Sequence, residues 1–362
     1  MKKIAAAATT LGLATTSAFA GQIERDGDRS QILFEEGKNY LEATVANVSP
    51  SISGTFMGVV GSGNIQQNYT QFSLGYKHQI NDKWAFALVG NSPVGADVSY
   101  APGTPHPFSG GNAEVNSRAL TGYLKYQATD RVSVYGGLRV QALSGNVFIP
   151  AAIVPANGGA PYTLAVNDDY QVGYVLGGAY EIPDIALRVA LTYESEIEHS
   201  YTDSTGTPFD VTIPQAATLH FQTGVAANTL VFGSARWREW TEFQIAPADF
   251  GIAAVGAPGP AIAFGTSDIW TFELGVGRKF TENWSGAFSI GYEEDQNDIV
   301  GNLQGFDGYI SYGVAVKYET EAYEFTTGIR YIDFGDTITT TIGGNFSGND
   351  AVAVGMKLGL RF

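Results

Sequence analysis

Apolar and polar residues alternate along most of the chain, and the pattern is clearest at the C-terminal end. The even positions there are all apolar: Val352, Val354, Met356, Leu358, Leu360 and Phe362. The odd positions between them are Ala, Gly, Lys or Arg. Because successive side chains of a strand point to opposite faces, this stretch is a strand with one apolar face. Such a face packs on another sheet in a soluble sandwich, or on lipid in an outer-membrane barrel.

The alternation recurs along the chain and predicts fourteen strands between residues 39 and 362. The ninth, predicted over residues 230–244, is the least regular. Short polar turns, such as Asn81-Asp82 and Thr320-Glu321, alternate with long Gly- and Pro-rich loops, such as residues 91–117, 147–167 and 202–212. Short turns at one end and long loops at the other are typical of bacterial outer-membrane barrels. A soluble all-β protein does not explain this alternation. We therefore expect an all-β fold, a single transmembrane antiparallel up-and-down β-barrel in the bacterial outer membrane.

Aromatic residues cluster beside the short turns, for example Trp84, Trp284 and Tyr323, which predicts an aromatic belt at one membrane interface. The expected surroundings of the barrel are outer-membrane lipid and lipopolysaccharide. The terminal strand, which ends on Phe362, is the expected contact for the barrel-assembly machinery.

The N-terminus has the pattern of a secretory signal peptide over residues 1–20. Lys2 and Lys3 precede a short apolar run, and Ala18-Phe19-Ala20 forms a cleavage motif before Gly21. Residues 21–38 are polar and form a short N-terminal segment, a possible reduced plug. Residues 39–362 are the expected barrel.

Composition excludes several function classes. The 362 residues include no Cys, so cysteine chemistry and thiolate metal sites are impossible. The net charge of −16 argues against nucleic-acid binding. His78, His106, His199 and His220 lack the spacing of a metal pair, and no catalytic constellation is present. We expect no enzymatic activity, no cofactor and no metal.

Two loops are unusually apolar for the outer side of a barrel. The candidate ligand-capture residues are Phe148, Ile149, Ile153 and Val154 in the first loop, and Phe250, Ile252 and Phe264 in the second. Exposed apolar patches of this kind mark binding sites. Packing of the loops against each other over the barrel mouth is the alternative.

At this point the chain resembles the FadL/TodX family of outer-membrane transporters of long-chain fatty acids and aromatic hydrocarbons. Trp237–Phe243 and Tyr193–His199 carry the clearest likeness. The resemblance implies passive uptake of hydrophobic small molecules, with capture among the outer loops. It also implies lateral release through an interruption of the third strand. Gly90, Asn91 and Pro93 fit such an interruption, and they fit the start of the following loop equally well.

One departure from the family pattern concerns the N-terminal plug. Residues 21–38 are short and lack the family's Asn-Pro-Ala motif. Either a short plug substitutes for the usual one, or the lumen is more open. The second possibility leaves room for a general diffusion porin for small polar solutes.

Overall fold

The computed structural model describes residues 23–296 and 299–362. The predicted cleavage site at Ala20 and Gly21 lies outside the described residues. Within the described ranges, fourteen antiparallel strands form a closed barrel, as the sequence predicts. Closure is made by the first and last strands, in which Tyr40 pairs with Arg361 and Ser51 with Asp350.

The barrel strands follow one another around the wall in chain order. They are β1 (Asn39–Ser51), β2 (Tyr69–Gln79), β3a (Trp84–Asn91) with β3b (Gly95–Ser99), β4 (Asn112–Gln127), β5 (Val132–Ile149), β6 (Tyr162–Ile182), β7 (Leu187–Glu194), β8 (Ala216–Ala226), β9 (Thr229–Arg238), β10 (Ile269–Lys279), β11 (Trp284–Glu293), β12 (Tyr309–Glu319), β13 (Tyr323–Phe334) and β14 (Asp350–Arg361).

The register matches the predicted alternation. In β14, Val352, Val354 and Leu358 face outward and are exposed, whereas Ala353 and Lys357 face the lumen and are buried. The apolar band therefore surrounds the barrel, where lipid covers it. The lumen is polar and crossed by the N-terminal segment, which includes a 3₁₀ turn at Ser30–Phe34.

The outer loops contain more regular structure than the sequence indicates. Short strands lie at Gly54–Phe56, Val60–Gly61, Ile197–Thr202, Pro208–Ile213, Gln244–Ile245, Ala263–Phe264, Ile299–Val300, Thr337–Thr339 and Asn345–Phe346. Helix α1 spans Ala248–Val255, and 3₁₀ turns lie at Pro155–Asn157 and Trp240–Glu242. A further 3₁₀ turn, Pro183–Ile185, forms the short connection between β6 and β7 at the other end of the barrel. None of the described helices has the length and hydrophobicity to cross a membrane.

Four predicted boundaries differ from the observed ones. The loop predicted over residues 91–117 contains β3b, and β4 begins already at Asn112. The apolar loop predicted over residues 147–167 is shorter, because β5 continues to Ile149 and β6 begins at Tyr162. Residues 202–212, predicted as a loop, belong largely to a hairpin in which Ile197 pairs with Ile213. The ninth strand ends at Arg238, before a 3₁₀ turn that contains the buried Trp240.

Candidate functional site

The third strand is interrupted. Asn91 of β3a pairs with Ala119 of β4, and Gly95 of β3b pairs with Asn116, so residues 92–94 bulge out of the ladder. On the other side, β2 pairs with β3a only from Leu74 onward. Among the described residues, the part of β2 before Leu74 has no ladder partner on β3b. The barrel wall therefore has a lateral gap beside residues 69–73 of β2, which closes again where Gln66 forms a bridge with Val98 of β3b.

The N-terminal segment fills this gap. The backbone N–H of Gly95 donates to the carbonyl of Ile23 at 2.8 Å. The N–H groups of Arg25 and Asp26 both donate to the carbonyl of Pro93, at 2.9 and 3.1 Å. Proline itself has no N–H to give to the ladder, which suits it to a break in a strand. Residues 23–26 thus replace the missing strand contact from inside the lumen.

The Arg25 side chain packs closely against the backbone at Gly95, and a larger residue there would displace it. A Cβ there would lie 2.7 Å from Nη1 of Arg25. That guanidinium also covers the ring of Tyr69, 4.2 Å from its centre. Among the described residues Arg25 forms no ion pair; Asp97 and Glu114 act on it from beyond ion-pair distance.

A buried cluster of charges anchors the segment to the opposite wall. Glu24 Oε1 accepts hydrogen bonds from Arg236 Nη2 at 2.7 Å and Nε at 3.1 Å. Arg238 Nη2 lies 2.9 Å from the same oxygen. Arg236 and Arg139 each reach Glu194 at 2.7 Å. All five side chains are buried, so the pairing compensates charges that would otherwise be costly to bury.

Deeper in the lumen, two further acidic residues of the segment bind different strands. Asp28 lies 3.2 Å from Nε2 of His220 on β8, and Glu35 lies 3.3 Å from Nζ of Lys357 on β14. The short segment therefore spans the lumen. A polar cavity of about 210 Å³ remains between it and β8, β9, β10 and β13.

A second cavity, of about 120 Å³, lies above the segment and is mostly apolar. Side chains from the strand ends, the loops and the segment line it, among them Ile23, Tyr69, Val147, Leu164, Phe243 and Phe306. Its floor includes Glu24, Arg25 and Gly95. The apolar cavity therefore ends at the lateral gap and at the residues that fill it.

The predicted capture residues occupy different environments. Phe264 lines the apolar cavity. Ile149, Ile153, Val154 and Phe250 are buried in the core between the loops, Phe148 is half-buried, and Ile252 is 49% exposed. Composition identified the apolar loops but not which side chains face the cavity. The same reasoning could have identified Val147 and Leu164, because both lie in the apolar loop predicted over residues 147–167.

An acidic cluster holds the outer loops together. Asp249 of α1 accepts from the hydroxyl of Tyr162 at 2.7 Å and from the N–H of Ser204 at 3.0 Å. Its own N–H donates to Asp203 at 3.2 Å. Burial raises the pKa of the Asp203 carboxyl, but hydrogen bonds from Thr205 and from backbone N–H groups outweigh it and keep that pKa below its usual value. Three loops are thereby fixed over the cavity.

The two histidines of the outer loops are buried in structural contacts. His199 and His106 are buried rather than exposed, and His199 lies 3.2 Å from Asp169. Asp168 pairs with Arg118. Within residues 23–296 and 299–362, no three His, Asp or Glu side chains are placed to hold a metal ion.

The family model "Outer membrane protein transport protein (OMPP1/FadL/TodX)" matches residues 26–352, most of the chain. The chain belongs to this family. It is an outer-membrane transport protein, not an enzyme. No curated protein matches the sequence.

Solved structures show the same fold at low sequence identity. A Pseudomonas aeruginosa FadL homologue superposes with a TM-score of 0.74 at 16% identity, covering 92% of this chain and 93% of that one. The Pseudomonas putida toluene transporter TodX gives 0.67 at 13% identity, with 98% of each chain covered. The Ralstonia pickettii toluene transporter TbuX gives 0.62 at 15% identity, with 91% and 90% covered.

Proposed function

We propose that this family member admits hydrophobic small molecules, long-chain fatty acids or hydrocarbons, passively across the outer membrane. The observation that carries the proposal is the apolar cavity that ends at the lateral gap in the wall. A ligand in this cavity gains about 25 cal/mol for each Å² of apolar surface removed from water. Such binding is weak and reversible, which suits a transporter.

The proposed path has a capture end and a release end. Capture takes place among the loops that carry Phe148, Ile149, Ile153, Val154, Phe250, Ile252 and Phe264, with Phe264 in direct contact. Release takes place sideways into the membrane at the interruption beside Gly90, Asn91 and Pro93, once residues 23–26 withdraw. A general porin is disfavoured because the segment crosses the lumen and its acidic groups are paired with the wall.

The proposal extends to the surroundings of the barrel. The outward apolar band would contact outer-membrane lipid and lipopolysaccharide. Phe362, 68% exposed at the end of the chain, would present the last strand to the barrel-assembly machinery.

The test compares uptake of labelled oleate and toluene by intact cells that produce the protein, a variant, or neither. Phe264→Asp places a charge in the apolar cavity and should reduce uptake of both compounds, because the carboxylate opposes burial of an apolar ligand. Val255→Asp is the matched control: Val255 is 64% exposed on the same loop and does not line the apolar cavity, so its substitution should have little effect.

Two results would contradict the proposal. One is unchanged uptake by a correctly inserted Phe264→Asp variant. The other is high conductance and sugar flux through the purified wild-type protein in planar bilayers, without uptake of either apolar compound, which would favour the porin.

A further inference from the structure

One basic residue in the wall of the polar cavity has no acidic partner. Five arginine and lysine side chains line this cavity: Arg29, Arg188, Arg236, Arg330 and Lys357. Four of them lie within 3.1 Å of a carboxylate oxygen. Among the described residues, Arg188 on β7 forms no ion pair, although it is only 7% exposed. A buried cation without an anion is costly, so the surroundings of Arg188 favour an anion.

The contacts that Arg188 makes do not compensate its charge. Its Nη2–H donates to Oε1 of Gln222 at 3.1 Å, and its guanidinium carbon lies 4.6 Å from the centre of the Phe34 ring. An amide oxygen and an aromatic ring both attract a cation, but neither carries a negative charge. An arginine has more N–H donors than these contacts use, so donors remain for an oxyanion in the cavity.

A second cation lies over the same ring. The Nζ atom of Lys125 on β4 is 4.5 Å from the centre of Phe34, and Lys125 also forms no ion pair within the described ranges. Glu181, directly across the ladder from Arg188, and Glu35 act on Arg188 only from beyond ion-pair distance. The ring therefore has two cations over it and no carboxylate in contact with either.

Gln31 supplies a second donor without a partner. It lines the polar cavity, and its Nε2 atom is buried with no hydrogen-bond acceptor in the described part of the chain. Side chains three residues apart eclipse in a 3₁₀ turn, so Gln31 lies on the same face of the turn Ser30–Phe34 as Phe34, beside Arg188. Its terminal amide has a broad torsional range and can turn this donor toward the cavity. The cavity volume of about 210 Å³ is many times what one water molecule needs, so a small anion fits.

We propose that the polar cavity binds a small oxyanion, with the chemistry of inorganic phosphate, on the guanidinium of Arg188 and the amide of Gln31. The planar fork of an arginine matches two oxygens of such an anion. The site faces the lumen, so its ligand is a free ion and not a lipid head group. The bound anion joins the 3₁₀ turn to β7, as Asp28 and Glu35 join the segment to β8 and β14. The inference goes beyond the proposed function and does not depend on it.

The experiment measures urea unfolding of the full-length protein in liposomes over a series of phosphate concentrations, at an ionic strength held constant with sodium chloride. Binding to the folded state alone should lower the unfolding equilibrium constant about tenfold for each tenfold rise in phosphate above its dissociation constant. Phosphate also strengthens apolar burial in any protein. That general effect does not depend on Arg188 and is measured separately in the variants.

Arg188→Gln removes the cation that binds the anion. This variant should keep only the general effect of phosphate, and the heat of phosphate binding in isothermal titration calorimetry should disappear. Glu181→Gln is the matched control, because it removes a charge at the position directly across the ladder from Arg188. Glu181 forms no ion pair with Arg188 in the described structure, so the control should bind phosphate as the wild-type protein does.

Gln31→Glu provides a second route if Arg188→Gln fails to fold. It supplies the anion from the chain itself, so the urea midpoint without phosphate should rise and the specific response to phosphate should be lost. Two results would overturn the inference. One is an equal response to phosphate in the wild-type protein and in a folded Arg188→Gln or Gln31→Glu variant. The other is the absence of any phosphate binding to the wild-type protein by calorimetry, which would assign the cavity to water alone.

Discussion

Leu274 tests the assignment of the lipid-facing side and of membrane depth together. It is the central residue of β10 (Ile269–Lys279), and its side chain is 57% exposed on the outer face. Its neighbours across the ladder are Gly233 on β9 and Ile290 on β11. Neither neighbour offers an anion, so an arginine at position 274 would face lipid alone.

The expected cost follows from depth. An arginine on the lipid face costs about 2–4 kcal/mol at the bilayer midplane and about 0–1 kcal/mol near the interfaces. The natural Arg278 lies on the same face, four residues nearer the short turn. Four strand residues span about 13 Å, or roughly 10 Å of depth at the usual tilt. The charge of Arg278 thus lies near the interface, where an arginine on the lipid face costs little free energy.

Leu274→Arg should therefore lower the free energy of unfolding by about 2–4 kcal/mol, and Phe280→Arg, at the turn, by at most about 1 kcal/mol. Phe280 is the matched control because it is 65% exposed and also apolar. The measurement is reversible urea unfolding in liposomes, followed by Trp fluorescence. Equal losses in the two variants, or a larger loss at Phe280, would refute the assigned register or depth.

Two further predictions concern the outer loops. Phe250→Ala removes a buried ring whose centre lies 5.2 Å from that of Tyr162. The loops should lose about 3–5 kcal/mol of local stability and become sensitive to protease, while the urea midpoint of the barrel stays unchanged. A shifted midpoint would show that loops and barrel unfold together. Burial lowers the pKa of His106 from its usual 6.5, and the Nδ1 atom of this residue accepts a hydrogen bond from the N–H of Phe108 at 3.2 Å. Neutral His106 therefore stabilises the loop above about pH 6.5. This stability is lost as the pH falls further, because the ring then becomes protonated. Amide exchange of Phe108 should accelerate on acidification, and His106→Phe should abolish that response; an unchanged response in the variant would assign it to another group.

The barrel could be predicted from the sequence because lipid imposes a local rule. Every strand that crosses the bilayer must alternate, whatever its partners, and the two-residue period is visible within one strand. Strand β14 therefore shows its register without any knowledge of β1 or β13. The ninth strand was the least regular, because the outward position of Gly233 is covered by the ring of Phe221 from β8 instead of by its own side chain.

The candidate site could not be predicted in the same way, because its contacts are long-range. Apolar loops identify a hydrophobic cluster, but burial of Ile153 and Val154 depends on α1 and on strands far along the chain. Glu24 and Arg236 are 212 positions apart, and nothing in the sequence pairs them. The sequence offered only a weaker indication of this pair. Arg236 and Arg238 lie on the lumen face of β9, which implies that a buried anion faces them but does not identify the residue that supplies it.

The short N-terminal segment is held across the lumen by its charges. Glu24, Asp28 and Glu35 bind β9, β8 and β14, so three points of attachment stretch it across the lumen. Buried charges do not separate unless each finds another partner. A segment held only by apolar packing could be displaced by any apolar ligand that competed for the same surface. A segment held by buried ion pairs resists such a ligand, because an apolar molecule cannot replace the carboxylates that the buried cations require.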